Sequence, residues 1–137
     1  AMHDLAVMGQ SHVAQFCEED VAAFLRERGV SFFRNLKLSG RSGFDHHFDF
    51  GFSATSRRPE SVMQAVNSLS RDLATSVAFA VNDVRLQRGT DAIQAYTIVN
   101  DRDVKPSLDY IDALKAYGIT VHTWNEREAL VPVFGRN

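Results

Sequence analysis

Residues 36 to 52 read LKLSGRSGFDHHFDFGF, and this stretch constrains the fold more than any other part of the chain. A turn rich in glycine and serine separates two segments of strand-forming residues, which predicts a β-hairpin. Strict alternation in the second segment predicts two faces. One face would carry Phe44, His46, Phe48, Phe50 and Phe52, and the other Asp45, His47, Asp49 and Gly51.

The rest of the chain alternates between helical and strand patterns. Apolar spacing predicts a first helix over 13–29, with Glu18, Glu19 and Asp20 facing away from the core. The predicted order is αβββαβαβ, an α/β (α+β) fold with a mixed central sheet of about five strands flanked by helices. The remaining predicted strands are 30–38, 61–68, 91–101 and 119–124, and the remaining helices 71–89 and 103–118.

Composition limits the class of protein. A chain of 137 residues is expected to form a single domain over 1–137. The net charge of −2 gives no overall basic character, and a lone cysteine, Cys17, cannot form an internal disulfide and fits a reducing compartment. No apolar run is long enough to span a bilayer and no signal peptide is recognisable, so we expect a cytoplasmic protein without a membrane partner.

Five segments carry a resemblance to a known family. They are FCEEDVAAFLRERGV, LSGRSGFDHHFDF, FAVNDVR, IVNDRD and LKAYGITVHTWNERE. On these segments the chain resembles the family of domain of unknown function 1829 (DUF1829), which often follows a companion domain, DUF1828, in bacterial and prophage proteins. That resemblance, with an abrupt start at Ala1-Met2, implies that the chain is the C-terminal part of a longer protein.

The element order also resembles that of the restriction-endonuclease-like, or PD-(D/E)XK, nucleases, which implies where chemistry would lie. Those enzymes place an acid on the second strand, and a Glu or Gln two residues before a Lys on the third. Asp49 matches the first acid and Gln64 the second position, but Val66 replaces the lysine. Arg71 or Arg85 from the following helix could supply a cation, although arginine cannot act as a base. An active site of this kind would use Mg²⁺ or Mn²⁺, and otherwise no cofactor is required.

The other polar residues of interest could have functional or structural roles. Asp45, His47 and Asp49 on one strand face could share a metal ion or form a solvated face. His46 is expected to be a buried, hydrogen-bonded histidine, and Asp83 either contacts the sheet or pairs with Arg85 on the surface. The arginines that could contact nucleic acid or a protein, or could be scattered and solvated, are Arg41, Arg57, Arg58 and Arg71.

The function that follows from the resemblance is a nuclease-like domain with a degenerate active site. It would bind nucleic acid or a protein partner in a prophage, defence or toxin–antitoxin context. One alternative is an active metal-dependent nuclease that uses Asp49, Gln64 and Arg85. The other is a structural or oligomerisation module, for example a homodimer.

Overall fold

A computed structural model describes residues 18–135 of the chain. Helix α1 occupies residues 18–27 of the described part, and a 3₁₀ helix, Trp124–Leu130, leads into the short helix α4, Val131–Phe134. No helix in this range is long and apolar enough to cross a membrane. The other elements are β1 Phe33–Ser39, β2 Asp45–Phe52, β3 Glu60–Val66, α2 Arg71–Arg88, β4 Ile93–Val99, α3 Leu108–Ala116 and β5 Ile119–Thr123.

The five strands form one mixed sheet in the order β1-β2-β3-β4-β5. Strands β1, β2 and β3 pair antiparallel, and β3, β4 and β5 pair parallel. Helices α2 and α3 make the two crossovers, because parallel neighbours need a long connection. The predicted class and element order are therefore confirmed. The predicted strand at 30–38 begins only at Phe33, and the predicted tail after residue 124 is largely helical.

The sheet is covered on both faces, and each face has its own apolar core. On one face, α1 and α4 pack against alternate residues of the strands, including Met63 and Ile98. On the other face, α2 and α3 pack against the intervening residues, including Val62 and Ala95. A sheet buried on both sides accounts for the nearly continuous apolar composition of β3 and β4.

The predicted alternation along β2 is wrong at one position. Phe48 packs in the core beneath α2, whereas Phe50 and Phe52 pack in the core beneath α1. The switch falls at Asp49, opposite Asn35, whose φ of 54° is left-handed. From that point the tip of the hairpin packs against α2, through Phe48 and through the hydrogen bond between His46 and Asp83.

Asp83 of α2 fixes the tip of the hairpin. Its buried carboxylate accepts hydrogen bonds from the Ser42 amide at 2.8 Å, the Ser42 hydroxyl at 2.6 Å and His46 Nε2 at 2.8 Å. Gly40 lies so close that an added Cβ would meet Asp83 Oδ2 at 1.9 Å. The expectations of a hydrogen-bonded His46 and of an Asp83 that contacts the sheet are confirmed.

Candidate functional site

The candidate site lies where β2 separates from β3. The paired stretch ends with Phe50 opposite Met63. One residue further on, the Asp49 amide donates to Gln64 Oε1 at 3.1 Å, and the Ala65 amide donates to Asp49 Oδ2 at 2.8 Å. Side chains thus replace the ladder hydrogen bonds at the point where the strands part. The structure brings Asp49 and Gln64 together, as the sequence predicted.

Glu18 of α1 joins these two residues in one open cavity of about 590 Å³, the Asp49 cavity. The sequence prediction that Glu18, Glu19 and Asp20 face away is wrong for Glu18. The sequence position of Glu18 indicates that it faces the core, because Glu18 lies one turn before the buried Val21 on the same side of the helix. The cavity is lined by Glu18, Asp49, Gln64, Ala65, Val66, Asn67, Ser68 and Leu73.

Arg34 of β1 connects α1 to this edge of the sheet. Its Nη2 donates to Glu18 Oε1 at 2.9 Å and to Glu19 Oε1 at 3.1 Å, and its guanidinium lies over the Phe50 ring, 5.4 Å from the ring centroid. The third acid, Asp20, pairs with Arg102 at 2.9 Å. The three acids at the start of α1 are therefore paired with arginines, which link the helix to β1 and to the segment after β4.

The environment raises the pKa of Asp49 from 3.8 to about 6. Burial is the main cause, because a charged carboxylate loses hydration in the half-buried cavity. The Ala65 amide lowers the pKa, the Glu18 charge raises it, and Arg34 lowers it. A carboxylate whose charge is this poorly compensated is typical of functional sites.

This pKa leads to a stability prediction. The unfolded value of 3.8 lies below the folded value of about 6, so the buried charge destabilises the fold above pH 6 and ceases to do so as pH falls toward 4. Asp49→Asn keeps an oxygen for the Ala65 amide and removes the charge. We expect this variant to be more stable than the wild type at about pH 8, with a gap that closes toward about pH 4 in urea unfolding.

Asp45→Asn is the matched control on the same strand. A hydrogen bond from Ser39 and the charge of Lys37 hold the pKa of Asp45 below 3.8, so its charge stabilises the fold above that pH. We expect Asp45→Asn to lose stability at about pH 8, opposite in sign to Asp49→Asn. An Asp49→Asn protein less stable than wild type at that pH would contradict the assignment.

The two arginines predicted to replace the missing lysine lie away from the Asp49 cavity. Val66 is buried, with 2% of its surface exposed. Arg85 donates to the carbonyls of Tyr117 at 2.8 Å and Gly118 at 3.0 Å, about 18 Å along α2 from Leu73 at the cavity wall. Arg71 begins α2, and its side chain lines the groove between α2 and α3. Neither arginine lines the Asp49 cavity.

The other predicted metal ligands also lie outside the cavity. Asp45 is exposed, accepts the Ser39 hydroxyl at 2.6 Å and lies 3.7 Å from Lys37 Nζ, and His47 is exposed as well. Within the described range, no three His, Cys, Asp or Glu side chains group in a way that could hold a metal ion. The side chains with oxygen atoms that line the cavity are the carboxylates of Glu18 and Asp49, the amides of Gln64 and Asn67, and the hydroxyl of Ser68.

The arginines that could contact nucleic acid or a protein lie in separate parts of the structure. Arg41 lies in the hairpin turn before β2, and Arg57 and Arg58 lie in the connection after β2. Eight strand residues put about 25 Å between these two positions. Arg57 and Arg58 line a separate pocket.

Comparisons with known proteins identify a family and a fold. The family model described as Domain of unknown function DUF1829 matches residues 40–127, which is more than half of the chain. A crystal structure of a protein of unknown function, AF1548, has a similar fold, with a TM-score of 0.61 and 18% sequence identity. That similarity covers 86% of this chain and 65% of the other, so this chain spans just under two thirds of that protein. No curated protein matches the chain.

Proposed function

Since the chain belongs to the DUF1829 family, we propose that it is a nuclease-like domain, with a restriction-endonuclease-like scaffold, that binds nucleic acid without cleaving it efficiently. The Asp49 cavity would bind a divalent cation and, through it, a phosphate group. The observation that carries this proposal is that Asp49, Gln64 and Glu18 line one open cavity where β2 and β3 part. The prophage, defence or toxin–antitoxin setting is part of the same proposal and rests on the family resemblance.

The chemistry of the donors fits a hard cation. Mg²⁺ and Mn²⁺ prefer carboxylate and carbonyl oxygens, which Asp49, Glu18 and Gln64 supply. A bound cation would offset the two neighbouring acidic charges and lower the pKa of Asp49. It would supply charge stabilisation for a phosphate. The protein's own residues hold the carboxylates in place: Ala65 binds Asp49, and Arg34 binds Glu18.

Among the residues that the structure describes, no lysine or arginine lines the same cavity. Val66 stands in the position of the lysine and packs in the core. Arg34 contacts Glu18 at the cavity, but it is paired with Glu18 and Glu19 and cannot accept a proton. Loss of general acid–base help alone lowers rates by about a hundredfold to ten-thousandfold. This supports binding, rather than efficient cleavage, as the function.

The test is calorimetric titration of the domain with Mn²⁺ and with Mg²⁺. We expect binding by the wild type, and loss of that binding in Asp49→Ala. Asp45→Ala is the control, because Asp45 lies on the same strand but outside the cavity. Binding that survives Asp49→Ala and disappears in Asp45→Ala would place the cation on the exposed strand face and overturn the proposal.

An active metal-dependent nuclease is the second candidate. The observation that favours it is Glu18, a second acid beside Asp49 that the sequence motif did not include. In that case Arg34 would stabilise charge on the phosphate, and water would be activated by one of the carboxylates. Cleavage that depends on Asp49 and Glu18 distinguishes this candidate from the first.

One surface of the protein favours a third candidate function, a protein-binding module. The groove between α2 and α3 has a floor of small residues, Ala74 and Ala78, and its wall includes Phe79 and Tyr117, each about half exposed. Exposed apolar grooves of this kind often bind proteins. A protein partner, including a second copy of the chain, remains the alternative to nucleic acid.

A further inference from the structure

A second concave site lies at the other end of β2 and β3 from the Asp49 cavity. It is formed by the connection between β2 and β3, the first half of β4, and α4. Its volume of about 530 Å³ lies within the range of about 300–1,000 Å³ that is typical of small-molecule sites. We call it the Arg58 pocket, and its residues are Gly29, Ser31, Thr55, Ser56, Arg57, Arg58, Gln94, Tyr96 and 132–135.

The connection that carries the two arginines is a compact turn. Thr55 Oγ1 accepts hydrogen bonds from the amides of Arg57 and Arg58, both at 3.2 Å. The Thr55 amide donates to the Arg58 carbonyl at 2.8 Å. Threonine side chains close turns in this way by binding amides two or three residues ahead. Both arginines therefore leave the same ordered turn at the pocket wall.

The Arg58 guanidinium is fixed in position. It lies over the rings of Phe134, 5.0 Å from the centroid, and Phe52, 5.9 Å away, and its Nη1 donates to the Ser53 carbonyl at 2.7 Å. Within residues 18–135, no carboxylate lies within ion-pair distance of it. The aromatic faces attract the cation but do not neutralise it. A rigid, uncompensated positive charge at a concave surface favours an anionic ligand.

Tyr96 and Gln94 form the facing wall. The Tyr96 hydroxyl donates to Gln94 Oε1 at 2.9 Å, which fixes both side chains. Burial raises the pKa of Tyr96, and the charge of Arg58 opposes that rise, so the phenol lies within electrostatic reach of the guanidinium. Val133 and Phe134 add an apolar surface next to these polar groups.

We propose that the Arg58 pocket binds the phosphate group of a nucleotide. The Arg58 guanidinium and the Ser31 and Ser56 hydroxyls, which line the same pocket, offer several donors to the oxygens of a phosphate. Charge-assisted bonds of this type are strong. The apolar wall beside them offers contact for the sugar or base. The phosphate could belong to a free mononucleotide or to the end of a nucleic-acid strand, since both present the same group. This site is separate from the Asp49 cavity and needs no divalent cation.

The test is calorimetric titration with adenosine 5′-monophosphate, adenosine and inorganic phosphate, in buffer without divalent cations. We expect the wild type to bind the monophosphate, and adenosine to bind at least roughly tenfold more weakly. Arg58→Gln should weaken monophosphate binding by at least about tenfold. Arg26→Gln, the same change at an exposed arginine that lies over the Phe32 ring and does not line the pocket, should leave it unchanged.

Arg58 also packs on two aromatic rings, so the folding of each variant is checked by circular dichroism. Arg58→Lys is the second variant, because lysine keeps the charge and most of the stem but loses the fork. Weaker monophosphate binding in Arg58→Lys supports the proposal even if Arg58→Gln does not fold. Equal binding by wild type and Arg58→Lys, or equal binding of adenosine and its monophosphate, would overturn it.

A further comparison separates the two sources of phosphate. Oligonucleotides with and without a 5′-phosphate are titrated against the wild type, in the same buffer without divalent cations. Tighter binding of the phosphorylated strand than of the mononucleotide would identify strand ends, and the reverse would identify free nucleotides. Because the buffer contains no cation for the Asp49 cavity, this proposal and the cation-binding proposal fail independently. Binding of neither phosphate ligand would overturn the inference.

Discussion

Phe50→Ala is expected to lower the free energy of unfolding by about 3–5 kcal/mol. Phe50 is fully buried, with no exposed surface, in the core beneath α1. Its ring meets Phe32 edge to face, 5.5 Å between centroids, and supports the Arg34 guanidinium. Truncation leaves a cavity beneath the arginine that holds Glu18, so the loss reaches the candidate site as well as the core.

Phe44→Ala is the matched control, because it removes the same atoms from the same hairpin. Phe44 is 63% exposed and makes an edge contact with Phe79 at 6.4 Å. Its loss should change the free energy of unfolding by about 0.5 kcal/mol. Both variants are measured by urea unfolding. The slope of the unfolding free energy against urea concentration should be the same as in the wild type. Equal losses in the two variants would contradict the burial of Phe50 in the core beneath α1.

The architecture could be predicted from the sequence because its signals are local. Helical spacing, strand composition and the glycines at element ends predict the order of elements, and short connections then predict the pairing. The face of each β2 residue could not be predicted in the same way. The switch between Phe48 and Phe50 depends on Asn35 adopting a left-handed conformation in the neighbouring strand, which no pattern in β2 itself indicates.

The candidate site was predictable only in part, for a similar reason. Asp49 and Gln64 lie on adjacent strands, and a resemblance to a known motif was sufficient to pair them. Glu18 comes from a helix about 30 residues earlier, and only three-dimensional packing brings it to the cavity. Arg85 lies on α2, the helix that was expected to supply a cation, but it is too far along the helix to reach the Asp49 cavity. Sequence order alone does not determine that distance.

The second large effect concerns catalysis. We expect wild-type domain to bind nucleic acid in Mn²⁺ or Mg²⁺ and to leave it uncut, because Val66 removes the cation that would position water. Electrostatic stabilisation and acid–base help are each worth at least about a hundredfold in rate. Binding should weaken as salt rises, because phosphate contacts release counterions. Asp49→Ala should reduce the cation-dependent part of that binding, and Asp45→Ala should not.

The measurement that tests this account most directly follows binding and cleavage in the same samples. Supercoiled plasmid, single-stranded DNA and RNA are each mixed with wild type, Asp49→Ala and Asp45→Ala, in Mg²⁺ and in Mn²⁺, at low salt. Gel retardation reports binding, and denaturing gels report cleavage. The account predicts cation-dependent retardation of at least one substrate by the wild type and Asp45→Ala, weaker retardation by Asp49→Ala, and intact nucleic acid throughout. Turnover by the wild type that Asp49→Ala abolishes, or no retardation of any substrate, would contradict it.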